Sequence, residues 1–138
     1  MRSLGIDFGE RRVGLAISDP EGRVAVPLRT VERESDRSLV RRLASLCREE
    51  GVEQLVLGHP RGLDGHRGAA ARRVERFAER LARATGLPFR LEDESLTSRE
   101  AENRVAAAGS GRRRGARPDL DAVAAQIVLQ SHLDRGEG

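Results

Sequence analysis

The chain contains no lysine, no tryptophan and no tyrosine, has a single cysteine, and offers no apolar run long enough to cross a membrane. All 25 basic side chains are therefore arginine, set against 22 acids for a formal net charge of +3. Without lysine or tyrosine almost nothing titrates between histidine and arginine, so a small positive excess persists to high pH. The sequence isoelectric point of about 10.6 thus overstates the basicity and does not by itself identify a polyanionic partner. With three phenylalanines as the only aromatic rings, no platform exists for stacking several bases, so a nucleic acid would have to be gripped by its phosphates. Cys47 has no second thiol for a disulfide or a cysteine-rich zinc site, and it falls in the apolar helical phase of Leu39, Leu43 and Leu46, where it reads as core packing. No transmembrane helix is expected. The first residues alternate like a strand instead of forming a basic region before a long apolar segment, so the expected location is the cytoplasm.

What is present suits one domain spanning 1–138. A chain of 138 residues, 38% hydrophobic and 34% charged with 15 glycines, supports one core and is too short for two ordinary ones. The charge is unevenly placed: residues 58–118 hold 14 arginines against 8 acids, while 119–138 hold 1 against 4. The densest run, Gly109 to Arg117, combines glycines that oppose helix with mutually repelling Arg112, Arg113, Arg114 and Arg117, and reads as a cationic loop.

Three strand-like runs, Ser3 to Phe8, Arg12 to Ser18 and Val24 to Val31, are separated by the turns Gly9-Glu10-Arg11 and Asp19-Pro20-Glu21-Gly22, the pattern of an antiparallel meander. A helix is expected from about Asp36 to Glu50, ended by Gly51, and then a short buried strand at Gln54 to Gly58. A glycine-rich loop leads into a second helix with Val74, Phe77, Ala78 and Leu81 inward, and Pro88 to Leu91 makes a fifth strand. Thr97 to Glu100 reads as a capping box opening a third helix, and Pro118-Asp119 opens a fourth with Leu120, Val123, Ala124, Ile127 and Val128 inward. This order implies one mixed sheet built from a meander and right-handed crossovers, with helices on its faces.

Ligands of open α/β sheets gather at the carboxyl ends of strands, and three acids stand out there. Asp7 ends an apolar strand, Glu94 follows the fifth strand, with Asp93 as its competitor, and Asp121 lies in the first turn of the last helix, where Asp119 is the natural N-cap. Taken singly, Asp7 could accept hairpin amides, Glu94 could be a solvated loop acid, and Asp121 could favour the helix dipole. Together, three carboxylates without histidine or cysteine suit hard divalent ions, Mg²⁺ or Mn²⁺. Two such ions can activate water and stabilise the leaving oxygen in a phosphodiester displacement. His59 and His66 share the glycine loop and His132 stands apart; none has metal-pair spacing.

Four blocks of the sequence resemble the YqgF/RuvX family: Asp7 to Asp19, Leu57-Gly58-His59-Pro60 with Leu63-Asp64-Gly65, Asp93 to Thr97, and Asp121 to Gln130. They arrive in the family's order and span nearly the whole chain. The resemblance implies an RNase H-like α/β fold, a mixed five-stranded sheet in the order 3-2-1-4-5 with strand 2 antiparallel and helices on both faces. It also implies a bacterial cytoplasmic nuclease with Asp7, Glu94 and Asp121 as metal ligands. The family's activities are 5′-end processing of precursor 16S rRNA and Holliday junction resolution. Two positions depart from the family pattern: Ser95 stands where arginine is usual and His59 where leucine is usual. Serine has no guanidinium to grip a phosphate, so that role falls to Arg99 or the arginine loop.

The expected activity is thus a metal-dependent phosphodiesterase using two ions, acting on structured or precursor RNA or on branched DNA. The catalytic set is Asp7, Glu94 and Asp121; the phosphate-binding set is Arg11, Arg12, Arg99, Arg112, Arg113, Arg114 and Arg117 with the amides of Gly9 and Gly14. A resolvase would have to be a dimer with paired sites, whereas a processing nuclease serves as a monomer or homodimer. Two other readings are a non-catalytic RNA-binding factor of the same fold and an actin-type ATP-binding domain, the latter resting on the first hairpin alone.

Overall fold

The computed structural model describes residues 1–60, 68–93 and 119–135. The meander forms as the period-2 pattern demands: β1 (Ser3–Phe8) pairs antiparallel with β2 (Arg12–Ser18), and β2 pairs antiparallel with β3 (Ala25–Glu32). Helix α1 (Asp36–Glu50) starts at Ser35, whose hydroxyl caps the Ser38 amide, and stops at Gly51 in the left-handed region at φ 69°. Strand β4 (Gln54–His59) runs parallel to β1; α2 (Ala69–Thr85) follows, then β5 (Phe89–Asp93) parallel to β4, and finally α3 (Leu120–Asp134). The sheet order is β3-β2-β1-β4-β5, as expected. The helix expected from Thr97 lies outside the described residues.

Helices cover both faces. Leu4 and Ile6 of β1, Leu55 and Leu57 of β4, and Val13, Leu15 and Ile17 of β2 pack with α1 and α2 around Phe77 and Leu81. The alternate residues Ala16 of β2 and Val56 of β4, with Ala25 at the start of β3, pack with Ala125, Val128 and Leu129 of α3. That alternation decides which side chains reach each helix layer.

The inward face of α3 includes Ala124, Ile127 and Val128 as expected and departs at Leu120 and Val123. Leu120 is exposed and Val123 only half-buried, while Ala122, Ala125 and Leu129 are at most 1% exposed. This helix is apolar on most sides, so periodicity carries little phase information. The sheet sets the phase: a Cβ on Gly5 would stand 2.7 Å from the Leu129 Cβ and 3.0 Å from the Ala125 carbonyl oxygen. Strand ends also shift by a residue or two. Strand β3 begins at Ala25, because the Asp19 carboxylate accepts the Arg23 and Val24 amides at 2.7 and 2.9 Å and holds Val24 in the turn. Those amide bonds also draw the Asp19 carboxyl below its ordinary range. Strand β4 continues through His59, and β5 runs from Phe89 to Asp93.

Among the described residues no helix is long and apolar enough to cross a membrane. Cys47 is buried, as its helical phase implies, and burial pushes its thiol up to about 11. The unfolded chain therefore releases this proton first, and stability should fall as pH rises from about 9 toward 11. At pH 8 a thiol reagent such as DTNB should label the native protein at a small fraction of its rate on urea-unfolded chain; equal rates would place Cys47 at the surface.

Candidate active site

The carboxyl ends of β1, β4 and β5 are level at one edge of the sheet. Ile6 pairs with Leu57, and His59 pairs with Asp93, so Asp7, Gly58 and Asp93 stand at neighbouring strand ends. Asp7 belongs to the alternate set of β1 together with Gly5, and so lies on the α3 side of the sheet. Directly across the β1/β2 pair from Asp7 is Gly14. A Cβ built on Gly14 would fall 1.8 Å from the backbone oxygen of Asp121. Missing bulk at this one position brings the first turn of α3 onto the sheet beside Asp7.

Asp121 is thereby presented at the same edge, with its side chain one-third exposed. Capping is left to Asp119, which accepts the Ala122 amide at 3.2 Å and the Thr30 hydroxyl. Asp121 is spared that duty, and its Oδ2 lies 3.2 Å from the Arg12 Nε. The structure thus brings two of the three predicted acids together. Glu94 lies outside the described residues, as do Arg99, Arg112, Arg113, Arg114, Arg117 and His66. Asp93, its competitor, shares a strand face with Phe89 and Leu91, which pack on the α1/α2 side. Its alternation therefore directs it away from Asp7.

The end of β1 is braced on its other face. Phe8 stacks on Phe77 with centroids 4.5 Å apart, and the Arg33 guanidinium lies 4.5 Å above the Phe8 ring. Arg33 is fixed in turn by Asp36 at 2.9 Å and by the Glu10 carbonyl at 3.3 Å. The hairpin tip uses its own amide: Gly9 N–H donates to the Arg12 carbonyl at 3.0 Å. Gly9 thus closes the turn, and Gly14 lies against the backbone of α3. Arg11 and Arg12 are exposed and line an open hollow with Glu32.

His59 does not join the acids. It faces α2 and pairs through Nε2 with the Glu75 carboxylate at 2.7 Å. A second buried polar group is not apparent in the sequence. Glu92, 2% exposed, accepts bonds from Arg135 and from the Ser131 hydroxyl at 3.0 Å, with His132 Nδ1 at 3.9 Å, and so ties the end of α3 to β5. A carboxylate this buried would cost several kcal/mol without such partners. Its own strand gives no signal for it, because Arg90 on the same face is exposed and the run Glu92-Asp93-Glu94 offers three acids in a row.

The donor set fits a divalent cation by its chemistry. Asp7 and Asp121 offer carboxylate oxygens, while His59 and Cys47 lie with the helices of the opposite face, and such oxygens select hard ions. Among the described residues no group of three such ligands forms, so this pair accounts for two of the predicted three.

A mixed 3-2-1-4-5 sheet with acids at its carboxyl edge defines the RNase H-like class of resolvase and nuclease folds. Solved structures share this fold. Thermus thermophilus RuvC in complex with a Holliday junction substrate matches with a TM-score of 0.65 at 17% identity, over 98% of this chain and 94% of the other. The fowlpox virus resolvase with its junction DNA matches with a TM-score of 0.63 at 10% identity, over 100% of both chains. The profile of the RuvX family, described as Holliday junction resolvase, matches residues 1–135, and the chain belongs to this family of nucleases. Relatives named "Putative pre-16S rRNA nuclease" include one from Syntrophus aciditrophicus, 45% identical over 97% of this chain and 89% of its own length. Another, from an Anaeromyxobacter species, is 43% identical over 97% of both.

The Gly14 contact yields a stability test. Gly14→Ala should force α3 off the sheet and cost about 3 kcal/mol in urea unfolding, whereas Gly68→Ala, where a Cβ meets nothing within 4 Å, should change stability by less than about 1 kcal/mol.

Proposed function

We propose that this chain is a divalent-metal-dependent endonuclease acting in 5′-end processing of precursor 16S rRNA. The observation that carries the chemistry is the meeting of Asp7 and Asp121 across Gly14 at the carboxyl edge of the sheet. The naming of relatives above 40% identity over nearly their whole length supports the substrate.

In this reading Asp7, Asp121 and Glu94 would hold Mg²⁺ or Mn²⁺, which would supply Lewis acidity for phosphodiester hydrolysis. The protein contributes position. The Phe8 stack fixes the end of β1 and hence the Asp7 carboxylate, and the glycine contact fixes Asp121. Arg11 and Arg12 at the hairpin rim contact the phosphate backbone, an interaction that carries no base preference. Hydrolysis adds one water across a P–O bond and leaves a phosphomonoester and a free hydroxyl. The absence of tyrosine and tryptophan agrees with recognition through phosphates.

Asp7→Asn keeps the shape of the side chain and removes its charge. Cleavage with Mn²⁺ should fall at least about 10³-fold, a loss typical of a group that stabilises the transition state, while the circular dichroism spectrum and much of the nucleic-acid affinity persist. Cleavage equal to the parent would overturn the metal reading.

The family description favours a second reading, junction resolution. A resolvase needs two symmetric nicks and therefore paired sites. Solution mass, combined with a panel of precursor rRNA, single strands, duplexes and four-way junctions under Mg²⁺ and Mn²⁺, separates the two. A monomer cutting precursor RNA but no junction supports processing; a dimer cutting junctions alone supports resolution.

A further inference from the structure

Arg12 is the first residue of β2, and alternation places it on the same face as Gly14, toward α3 and the acid pair. Its side chain is 68% exposed, and its Nε meets Asp121 Oδ2 at 3.2 Å. This choice of partner is informative, because Glu32 stands directly across the β2/β3 pair, yet the guanidinium engages the acid at the sheet edge. Arg33 makes a useful contrast. It is held by Asp36, a backbone carbonyl and the Phe8 ring, and has no freedom to change partners. Among the described residues Arg12 has one weak, solvent-screened ion pair on a long stem at the rim of the hollow.

The lone pair of Asp121 Oδ2 that accepts the guanidinium is not offered to a metal ion, and a divalent ion beside that guanidinium would repel it. We propose that Arg12 and the divalent ion compete for the Asp121 carboxylate, so that metal binding releases Arg12 to take the substrate phosphate. This rests on the metal-dependent nuclease reading and assigns Arg12 a positioning role within it. Metal and nucleic acid then bind cooperatively through Arg12, and linkage makes the effect reciprocal. An arginine suits the exchange because its planar fork matches carboxylate and phosphate alike.

The test measures Mn²⁺ affinity by titration calorimetry on the full chain without nucleic acid. Arg12→Gln should bind Mn²⁺ about fivefold more tightly than the parent, the scale of an exposed ion pair. Arg29→Gln, which removes the same charge from exposed β3, should leave the affinity within about twofold. In a second arm, anisotropy of a labelled single-stranded RNA is followed with EDTA or with Ca²⁺. The parent should gain affinity with Ca²⁺, and Arg12→Gln should lose most of that gain. Equal Mn²⁺ affinity in parent and Arg12→Gln, or an equal rise in Arg29→Gln, overturns the competition. If the parent shows no Mn²⁺ binding that Asp7→Asn and Asp121→Asn remove, the metal reading itself fails.

Discussion

Helix α3 approaches the sheet almost to backbone contact, because Gly5 and Gly14 present no Cβ beneath it. Much else depends on that approach. It buries Ala125 and Leu129 against β1, closes the second hydrophobic layer, and carries Asp121 to the strand end where Asp7 lies. A methyl group at Gly14 would occupy the place of the Asp121 backbone, so the packing of the fold and the assembly of the acid pair are one constraint. Polar bonds secure the same helix at its margins: Gln126 donates to the Ala25 carbonyl at 3.1 Å, and Arg135 clasps Glu92.

Acids in this molecule divide their duties by position. Asp119 caps, Asp19 closes a turn, Asp36 holds Arg33 and Glu92 anchors the end of α3. Each is satisfied locally by amides or guanidinium groups. Asp7 and Asp121 differ in place: the β1/β2 pairing and the Gly14 contact set both at the carboxyl edge of the sheet, where Asp121 meets Arg12.

The strands are legible in the sequence because alternation and tight turns leave few alternatives, and both helix stops at Gly51 and Gly86 follow from left-handed caps. Asp7 and Asp121 are legible because a carboxylate at the end of an apolar strand, and a second acid behind an N-cap, lack a packing reason. The face of α3 is not: a helix apolar nearly all round has no preferred phase until the glycines of a distant hairpin supply one. Gly14 reads in the sequence as a possible phosphate contact, and its packing against the Asp121 backbone, at the other end of the chain, has no local signal. Glu92 is hidden within three consecutive acids, since only the strand register distinguishes an inward acid from an outward one.

The use of arginine for every basic residue acquires a structural meaning at the hairpin. A lysine at position 33 could not lie flat on Phe8 while also bonding Asp36 and a carbonyl, because one ammonium lacks the plane and the fork. A lysine at position 12 would be a compact, strongly hydrated charge, less able to exchange a carboxylate for a phosphate of similar geometry. Two arginines, one just past β3 and one opening β2, thus divide the work: Arg33, partly buried and multiply held, stiffens the strand that carries Asp7, while exposed Arg12 faces the acids. The net charge of the chain predicts neither role. Burial and the number of partners separate a fixed arginine from an exchangeable one, and by that difference Arg12 rather than Arg33 is placed to couple Asp121 to a phosphate.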